Sequence, residues 1–400
     1  MSPAPTPRIS LLPLTGDVTP AVRTLGWDWV VEDACATYVA REAVQLAEAD
    51  ADALLTAADT LYALCAEAIP DPIPDELLER LAIAPNLWEA VRYSWADDRH
   101  WHLYGRFDLA MTAEGPKLLE FNADTATSLP ETAVVQWASL VAAGQADEER
   151  QANGLFEGLE AQLREWRERN DDLVAELLLV HLPDSAEDAA NCAVVAEAAL
   201  AAGFTTTYIT SVDAMQVAAT GEDRGVWAET VSGEWRRFSF VFKLVPWELL
   251  ADEEPELLAD LTRLLLARTV VVANPAYALL FQSKALLAWL WEQYPHHPLL
   301  LETVLGPAEL AGHAVRKPVF GREGQNVIEQ LDGRTQAEVP GDYGHQPAIS
   351  QRWAELPTDA QGRRYQAGVF WAGEGCAIGF RRDAGLITNL SEFVPHRLDG

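Results

Sequence analysis

A stretch with strand-like alternation constrains the fold of this chain most, because it collects polar side chains on one face. From Leu103 to Met111 apolar and polar residues alternate, which places Arg106 and Asp108 on the same face of a predicted strand. Lys117–Asn122 alternates in the same way and carries Glu120 among apolar neighbours. The two segments predict a β-hairpin with one polar face.

The loop of this hairpin, predicted at Thr112–Pro116, sets how the two strands are aligned. It places Asp108 opposite Glu120 and Arg106 opposite Asn122, with Cβ atoms roughly 5 Å apart. Facing carboxylates repel unless a cation lies between them, and oxygen ligands of this kind suit Mg²⁺ that carries a nucleotide's phosphates. The alternative is a solvated polar face on which Arg106 neutralises the two carboxylates.

Composition places the chain among globular proteins and argues against several partners. Its 400 residues are 49% hydrophobic, enough for more than one core. The chain has 61 acidic residues but only 29 Lys and Arg, and its net charge of -32 repels nucleic acid. The same acidity suits a cationic substrate such as a polyamine, or serves solubility alone.

Neither membrane insertion nor disulfide chemistry is expected. No run of 18 apolar residues occurs, and the first eight residues lack the regions of a signal peptide, so we expect a cytoplasmic protein without membrane contact. The four cysteines are widely separated, which predicts buried thiols rather than a zinc or disulfide framework. They are Cys35, Cys65, Cys192 and Cys376.

Local patterns also predict the order of elements. Good helix formers predict helices at 38–49 and 51–69, and an apolar helix at 277–293. Between residues 175 and 210 a strand, a helix and a β-rich segment form a β-α-β pattern, which predicts a parallel crossover. This segment has no G-x-G-x-x-G, so dinucleotide binding is not indicated.

Two lysines stand out in the second half of the chain. Lys284 is a lone cation in the apolar helix predicted at 277–293, where the simple explanation is that its ammonium reaches solvent. Lys317 precedes the segment Gly321-Arg-Glu-Gly324, whose glycines let backbone N–H groups approach phosphate oxygens. The chain has no P-loop motif, which argues against that enzyme class.

Five separated motifs together resemble the glutathionylspermidine synthase family, in its short form without the amidase domain. The resemblance runs in order along nearly the whole chain. The motifs are Arg106-Phe-Asp, Leu119-Glu-Phe-Asn-Ala-Asp-Thr-Ala-Thr-Ser128, Asn274-Pro with Lys284, Lys317-Pro-Val-Phe-Gly-Arg-Glu-Gly324 and Gly379-Phe-Arg-Arg-Asp-Ala-Gly-Leu-Ile-Thr388.

This resemblance implies a mixed α+β and α/β chain with an ATP-grasp fold in permuted order and a Rossmann-like pre-ATP-grasp subdomain. We therefore expect a tail at 1–18, a helical region with the metal-binding hairpin (about 103–123) at 19–172, the Rossmann-like subdomain at 173–275 and the ATP-grasp lobe with its glycine-rich loop at 276–400. The implied reaction joins a carboxylic acid to an amine through an acyl phosphate, with ATP and Mg²⁺. Hydrolysis of a spermidine conjugate is not expected, because that activity belongs to the amidase domain.

The resemblance also implies a role for individual residues. Asp108, Glu120 and Asn122 would bind Mg²⁺, and Thr125 and Thr127 would contact the acid substrate. Arg106 and Arg381 would be catalytic by stabilising charge on the acyl phosphate, although Arg382 competes with Arg381 for that role. The residues implied in nucleotide binding are Lys284, Lys317, Gly321, Arg322, Gly324, Ile349 and Gln351.

Two other functions remain open at this level. One is a nucleotide-binding protein without turnover, since fold does not imply function. The other is a kinase that phosphorylates a small acid in the same cleft. The motifs specify neither the acid, which is a small molecule or peptide, nor the amine, nor the oligomeric state.

Overall fold

A computed structural model describes residues 8–28, 38–230, 232–306 and 310–399 of the chain. These residues form a mixed α/β structure with several sheets. Part of the region predicted to be helical, residues 29–37, lies outside the described residues, as does Cys35. In the described part of the chain, helices are too short or too polar to cross a membrane.

Strands in the described residues form one parallel sheet and four other sheets that are antiparallel or mixed. In chain order the strands are β1 (Ser10–Pro13), β2 (Glu42–Ala47), β3 (Gly105–Thr112), β4 (Gly115–Asn122), β5 (Glu176–Val180), β6 (Thr205–Ile209), β7 (Met215–Ala218), β8 (Gly225–Glu229), β9 (Trp235–Phe238), β10 (Phe240–Lys243), β11 (Val271–Ala273), β12 (Thr303–Leu305), β13 (His313–Pro318), β14 (Ile328–Leu331), β15 (Arg334–Glu338), β16 (Ala348–Arg352), β17 (Arg364–Trp371), β18 (Gly375–Asp383), β19 (Glu392–Val394) and β20 (His396–Asp399).

Helices pack against these sheets, and a short π-helical segment precedes one of them. The π-helical segment is Glu131–Val135. The α-helices are α1 (Thr19–Thr24), α2 (Glu48–Glu67), α3 (Asp75–Arg80), α4 (Trp88–Ala96), α5 (Gln136–Ala142), α6 (Leu155–Glu168), α7 (Ala186–Ala201), α8 (Trp247–Glu253), α9 (Pro255–Leu266), α10 (Ala278–Gln282) and α11 (Ala285–Gln293).

The hairpin belongs to a five-stranded sheet with the order β19-β18-β17-β3-β4. Its predicted register is confirmed: Asp108 pairs with Glu120, and Arg106 pairs with Asn122. Strand β3 also pairs with β17, which comes from the last quarter of the chain. The polar face is therefore supported by strands that are remote in sequence.

The predicted five-residue hairpin loop is wrong, although the register beyond it is right. Thr112 pairs directly with Gly115, so the turn has only two central residues. A register shift after Asp108 leaves Leu119 without a partner on β3, which is a β-bulge. The bulge supplies the one-residue offset that the longer loop was expected to provide, and it sits beside the paired carboxylates.

The helix predicted at 38–49 is wrong over most of its length. Residues Glu42–Ala47 form strand β2, which pairs antiparallel with β1 and parallel with the C-terminal strand β20. Its buried side chains Val44 and Leu46 join the core. Helix propensity is a weak preference, and pairing with two remote strands overrides it here. The following prediction, a helix at 51–69, is confirmed by α2 (Glu48–Glu67).

The predicted parallel crossover is confirmed within a four-stranded sheet of order β11-β10-β5-β6. Strands β5 and β6 are parallel and are joined through α7. The carboxyl ends of parallel strands are where ligands bind in open α/β sheets. Here the chain leaves β5 at His181, β10 at Leu244 and β11 at Asn274, all at the same edge.

The apolar helix predicted at 277–293 is wrong as one continuous helix. It is interrupted between α10 and α11, where Ser283 is extended with ψ of 118°. The Ser283 hydroxyl donates to the Leu81 carbonyl at 2.7 Å, and Lys284 N donates to Val319 O at 3.0 Å. Lys284 thus lies at the start of α11, not inside an apolar helix face.

The described cysteines carry free thiols. Cys65 and Cys192 are buried, as predicted, whereas Cys376 is half-buried. Burial raises the pKa of Cys65 to about 12, so this thiol stays protonated and unreactive at neutral pH.

Candidate active site

One large cavity, of about 920 Å³, lies between the hairpin, strand β13 and the carboxyl edge of the parallel sheet. Most of the residues that the sequence singled out line it, although they come from five separate parts of the chain. These lining residues are Arg106, Asp108, Glu120, Asn122, Thr125, Thr127, Lys284, Lys317, Gly321, Arg322, Gly324 and Arg381.

Asn274, which follows β11, holds both ends of the hairpin in place. Its Oδ1 accepts a hydrogen bond from Leu103 N at 2.9 Å. Its Nδ2 lies 3.0, 3.0 and 2.9 Å from the carbonyl oxygens of Tyr104, Ala123 and Asp124. This fully buried amide therefore fixes the polar face of the hairpin against the edge of the parallel sheet.

Asp108 is buried at the centre of the hairpin's polar face. Arg106 binds it with two donors, Nε to Oδ1 at 2.8 Å and Nη2 to Oδ2 at 3.3 Å, and Asn122 Nδ2 donates to Oδ2 at 3.2 Å. Burial nevertheless raises the pKa of Asp108, and the negative charge of Glu120 raises it further against the effect of Arg106. The hairpin thus places two carboxyl groups opposite each other, where each affects the ionisation of the other.

Two lysines face Glu120. Lys284 Nζ lies 3.3 Å from Glu120 Oε2 and donates to the Gly321 carbonyl at 2.7 Å. Burial alone would raise the pKa of Glu120, but Lys284 and Lys317 lower it to about 2. Burial lowers the pKa of Lys317 to about 8, assisted by the nearby Lys284. This end of the cavity concentrates positive charge around one ionised carboxylate.

Lys317 is supported from behind by two residues of strand β16. Gln351 Oε1 accepts from Lys317 Nζ at 3.0 Å, and Gln351 Nε2 donates to Leu118 O at 3.1 Å. Lys317 Nζ also reaches the carbonyl of the bulge residue Leu119 at 3.1 Å. Ile349 pairs with Lys317 across the strands and is fully buried. Neither Ile349 nor Gln351 lines the cavity, so both lie behind the lysine.

The glycine loop, Gly321–Gly324, reaches the opposite side of the cavity. Arg322 Nη1 donates to Thr125 Oγ1 at 2.8 Å, and Arg322 Nη2 lies 2.5 Å from Glu248 Oε1. Gly324 has φ of +74°, and a Cβ there would come within 2.7 Å of the Ile387 carbonyl oxygen. Only glycine fits this contact without a backbone shift.

The adjacent arginines of β18 point in different directions. Arg381 lines the cavity, where its Nη2 donates to Ser128 Oγ at 2.8 Å and lies 3.7 Å from Glu131 Oε1. Arg382 is only 4% exposed and binds Glu392 and Glu42 away from the cavity. Alternation along the strand explains the difference. Arg381 is therefore the arginine of this pair that can reach a bound substrate.

Sequence reasoning missed an acidic wall on the far side of the cavity, formed by Glu187, Asp188, Glu248 and Asp252. Glu187 and Asp188 begin α7 after β5, and Glu248 and Asp252 lie in α8 after β10. Burial raises the pKa of Glu187 to about 7, and the neighbouring charge of Glu131 adds to that increase. Their position after parallel strands was the signal that could have identified them.

Comparisons with known proteins agree along the length of the chain. Residues 11–399 match the family described as glutathionylspermidine synthase preATP-grasp. A Haemophilus influenzae protein named "Putative acid--amine ligase" is 29% identical, and the alignment covers 97% of this chain and 98% of that protein.

Two longer relatives match in part. The bifunctional glutathionylspermidine synthetase/amidase of Escherichia coli is 27% identical over 80% of this chain and 53% of its own length. The trypanothione synthetase of Crithidia fasciculata is 27% identical over 81% of this chain and 51% of its own length. The chain thus spans about half the length of these two proteins. Since the family match covers nearly every residue, the chain belongs to the glutathionylspermidine synthase preATP-grasp family.

Proposed function

We propose that this chain, a ligase that forms carbon–nitrogen bonds, uses ATP to activate a carboxylic acid and then joins it to an amine in the 920 Å³ cavity. One observation carries the proposal: two facing carboxyl groups, two lysines and two arginines from remote segments converge on that cavity. We further propose that the lobes around it form an ATP-grasp fold in permuted order, with 173–275 as its Rossmann-like subdomain.

The hairpin fits a magnesium ion bound with nucleotide phosphates. Asp108 and Glu120 face each other across the hairpin, where burial and the charge of Glu120 raise the pKa of Asp108, and a divalent cation would offset the repulsion between the two carboxylates. Asn122 would complete a set of oxygen ligands. Among the described residues, no group of three or more His, Cys, Asp and Glu side chains is placed to hold a metal ion. The proposed ion would therefore take further oxygen ligands from Asn122 and the nucleotide phosphates. A bound Mg²⁺ would offset charge on the transferred phosphoryl group.

The positively charged end would hold the triphosphate. Lys284 and Lys317 lie beside Glu120 in the cavity, and the glycine loop presents its backbone next to Lys284. Ammonium groups bind phosphate oxygens, and the N–H groups of the glycine loop would add backbone donors that position the phosphates for transfer. Ile349 would contribute its backbone behind the nucleotide, and Gln351 would keep Lys317 in position.

The acid substrate would lie between Arg106 and Arg381. Thr125 and Thr127 lie in the segment that follows strand β4, and both line the same cavity as the two arginines. A carboxylate oxygen of the acid would attack the γ-phosphorus of ATP, with ADP as the leaving group. The two guanidinium groups would then offset charge on the resulting acyl phosphate.

The amine would bind against the acidic wall. Its nitrogen attacks the acyl carbon, phosphate leaves, and the nitrogen must lose a proton. Glu187, whose pKa of about 7 is close to neutral, is suited to accept that proton, because it is partly ionised at the working pH. A cationic amine such as a polyamine matches this wall in charge.

A coupled assay of ADP release over pairs of acids and amines tests the proposal. Glutathione as the acid and spermidine as the amine follow from the name of one relative, and short peptides and amino acids widen the screen. We expect ADP release to require both an acid and an amine. Release with acid alone would indicate a kinase, whereas ATP binding without turnover for any pair would indicate a silent nucleotide-binding protein.

A further inference from the structure

Arg322 and Glu248 form an ion pair that joins the glycine loop to the acidic wall. Nη2 of Arg322 lies 2.5 Å from Glu248 Oε1, and the two side chains are only 26% and 21% exposed. The neighbouring donor, Nη1, is bonded to Thr125. Burial lowers the pKa of Arg322, but the charge of Glu248 raises it above its usual value, so the guanidinium stays charged. The guanidinium thus spans from the loop to α8.

The loop is also attached on its other side. Glu323 Oε2 accepts from Asn389 Nδ2 at 3.1 Å, in an exposed contact that is weak on its own. Gly324 packs against the carbonyl of Ile387. Of these attachments, the contact between Arg322 and Glu248 is the partly buried charged pair, and charge-assisted bonds of this kind are the stronger ones. Together with the bond from Lys284 to the Gly321 carbonyl, it is therefore one of the charged contacts that hold the loop.

Glu248 is not fully satisfied by this contact. Its second oxygen, Oε2, is out of contact with water and has no hydrogen-bond partner in the described structure. A buried carboxylate oxygen without a donor is costly, so it would gain from a cationic N–H donor that enters the cavity. The other acidic residues of the wall, Glu187, Asp188 and Asp252, would attract the same kind of donor.

We propose that Glu248 couples the closed glycine loop to the amine substrate: it holds Arg322 before the amine binds, and the amine nitrogen competes for the same carboxylate and loosens that hold. Glu248 is thus a positioning residue for Arg322 and an anchor for the amine. The identity of the competitor as an amine rests on the proposed ligase function. The hold on the loop does not, since it is a contact within the chain.

Trypsin provides a direct test, because it cleaves after arginine. We expect the bond between Arg322 and Glu323 to be cut only when the loop opens. With the full chain and no ATP, we expect Glu248→Gln to accelerate this cleavage about fivefold, the effect of losing one charged hydrogen bond of modest strength. Glu253→Gln removes an exposed charge from the same helix and should be cleaved after Arg322 at the wild-type rate. Cleavage after the exposed Arg237 serves as an internal reference.

Spermidine is the probe for the second half of the proposal. It should accelerate cleavage after Arg322 in the wild type, relative to KCl at equal ionic strength, and should have no further effect in Glu248→Gln. A wild-type cleavage rate in Glu248→Gln would overturn the hold on the loop. Equal acceleration of both proteins, or of neither, would overturn the competition for Glu248.

Hydrogen exchange of the loop amides separates this role from a general loss of stability. Protection of residues 321–324 should fall in Glu248→Gln and in Arg322→Gln, and the double variant should lose no more than Arg322→Gln, because Glu248 acts on the loop through Arg322. Additive losses would contradict direct coupling of the two residues. Neither measurement depends on turnover, so the hold on the loop can be tested even if the protein shows no ligase activity. If the protein is an active ligase but the loop of Glu248→Gln behaves like that of the wild type, the inference fails and the proposed function stands.

Discussion

Lys284 Nζ lies 3.3 Å from Glu120 Oε2, which joins the start of a helix to the polar face of the hairpin. The same ammonium binds the Gly321 carbonyl, so one lysine contacts both the paired carboxylates and the glycine loop. Glu120 is therefore ionised, whereas its partner Asp108 has a raised pKa. Changes to any of these groups should alter the others, because they form one electrostatic cluster.

The paired carboxylates should be essential for turnover. We expect Asp108→Asn and Glu120→Gln each to lower ADP release at least about a hundredfold, since each removes charge from the proposed Mg²⁺ site. Steady-state assays over a range of Mg²⁺ concentrations measure this, and circular dichroism checks that the variants are folded. Glu114→Gln removes an exposed carboxylate from the turn of the same hairpin and should remain active. Wild-type turnover in both cavity variants would rule out the proposed metal site.

Lys317 should make ATP binding depend on pH. Burial lowers its pKa to about 8, and the ammonium is the form that attracts phosphate. ATP affinity should therefore be constant below pH 8 and fall above it, by up to about tenfold per pH unit when one proton is linked to binding. Calorimetric titrations between pH 7 and 9 measure the effect. Lys317→Ala should bind ATP more weakly at pH 7 and lose this dependence; wild-type affinity in that variant would contradict the assignment.

Arg381 and Arg382 should differ in what their loss affects. Arg381→Ala should reduce turnover with little change in stability, because this side chain lines the cavity. Arg382→Ala should instead lower the free energy of unfolding by about 2 kcal/mol. This is less than the loss of a fully buried ion pair would cost, because the carboxylate partners of Arg382 are about a third exposed. Urea unfolding and ADP release, measured on both variants, test the contrast. Equal effects of the two substitutions on turnover would argue against a special role for Arg381.

Acid should destabilise the fold through buried histidines. Burial lowers the pKa of His100 and His102 to about 4 and that of His396 to about 3. Below the unfolded value of 6.5 the unfolded chain binds protons that these histidines do not, so the free energy of unfolding falls as pH drops from 6.5 toward 4. Each histidine should contribute about 1.4 kcal/mol per pH unit in that window.

The His396 contribution can be isolated by substitution. His396 Nε2 accepts from Ala152 N at 2.9 Å, and Nδ1 lies 3.0 Å from Gln136 Oε1, an arrangement that requires the neutral ring. His396→Gln should be less stable at pH 7 but lose less stability between pH 7 and pH 5 than the wild type. Urea midpoints at the two pH values provide the comparison. An identical loss in both proteins would show that His396 is not responsible.

Local pattern was sufficient for part of the site. Strand alternation with a period of two places Arg106 and Asp108 on one face, and pairing then brings Glu120 and Asn122 opposite them. The same reasoning succeeded despite the wrong loop, because the bulge at Leu119 restored the register. It failed at 38–49, where pairing with the C-terminal strand β20 outweighs helix propensity.

What the sequence by itself determined is the set of local patterns: the polar hairpin face, the β-α-β crossover and the family to which the motifs belong. Only the tertiary structure decided which distant groups meet: Lys284 at Glu120, Arg322 at Glu248, and Arg381 rather than Arg382 in the cavity. The physical reason is that side-chain direction along a strand or helix follows from local geometry. Distances between elements depend instead on how all of them pack together.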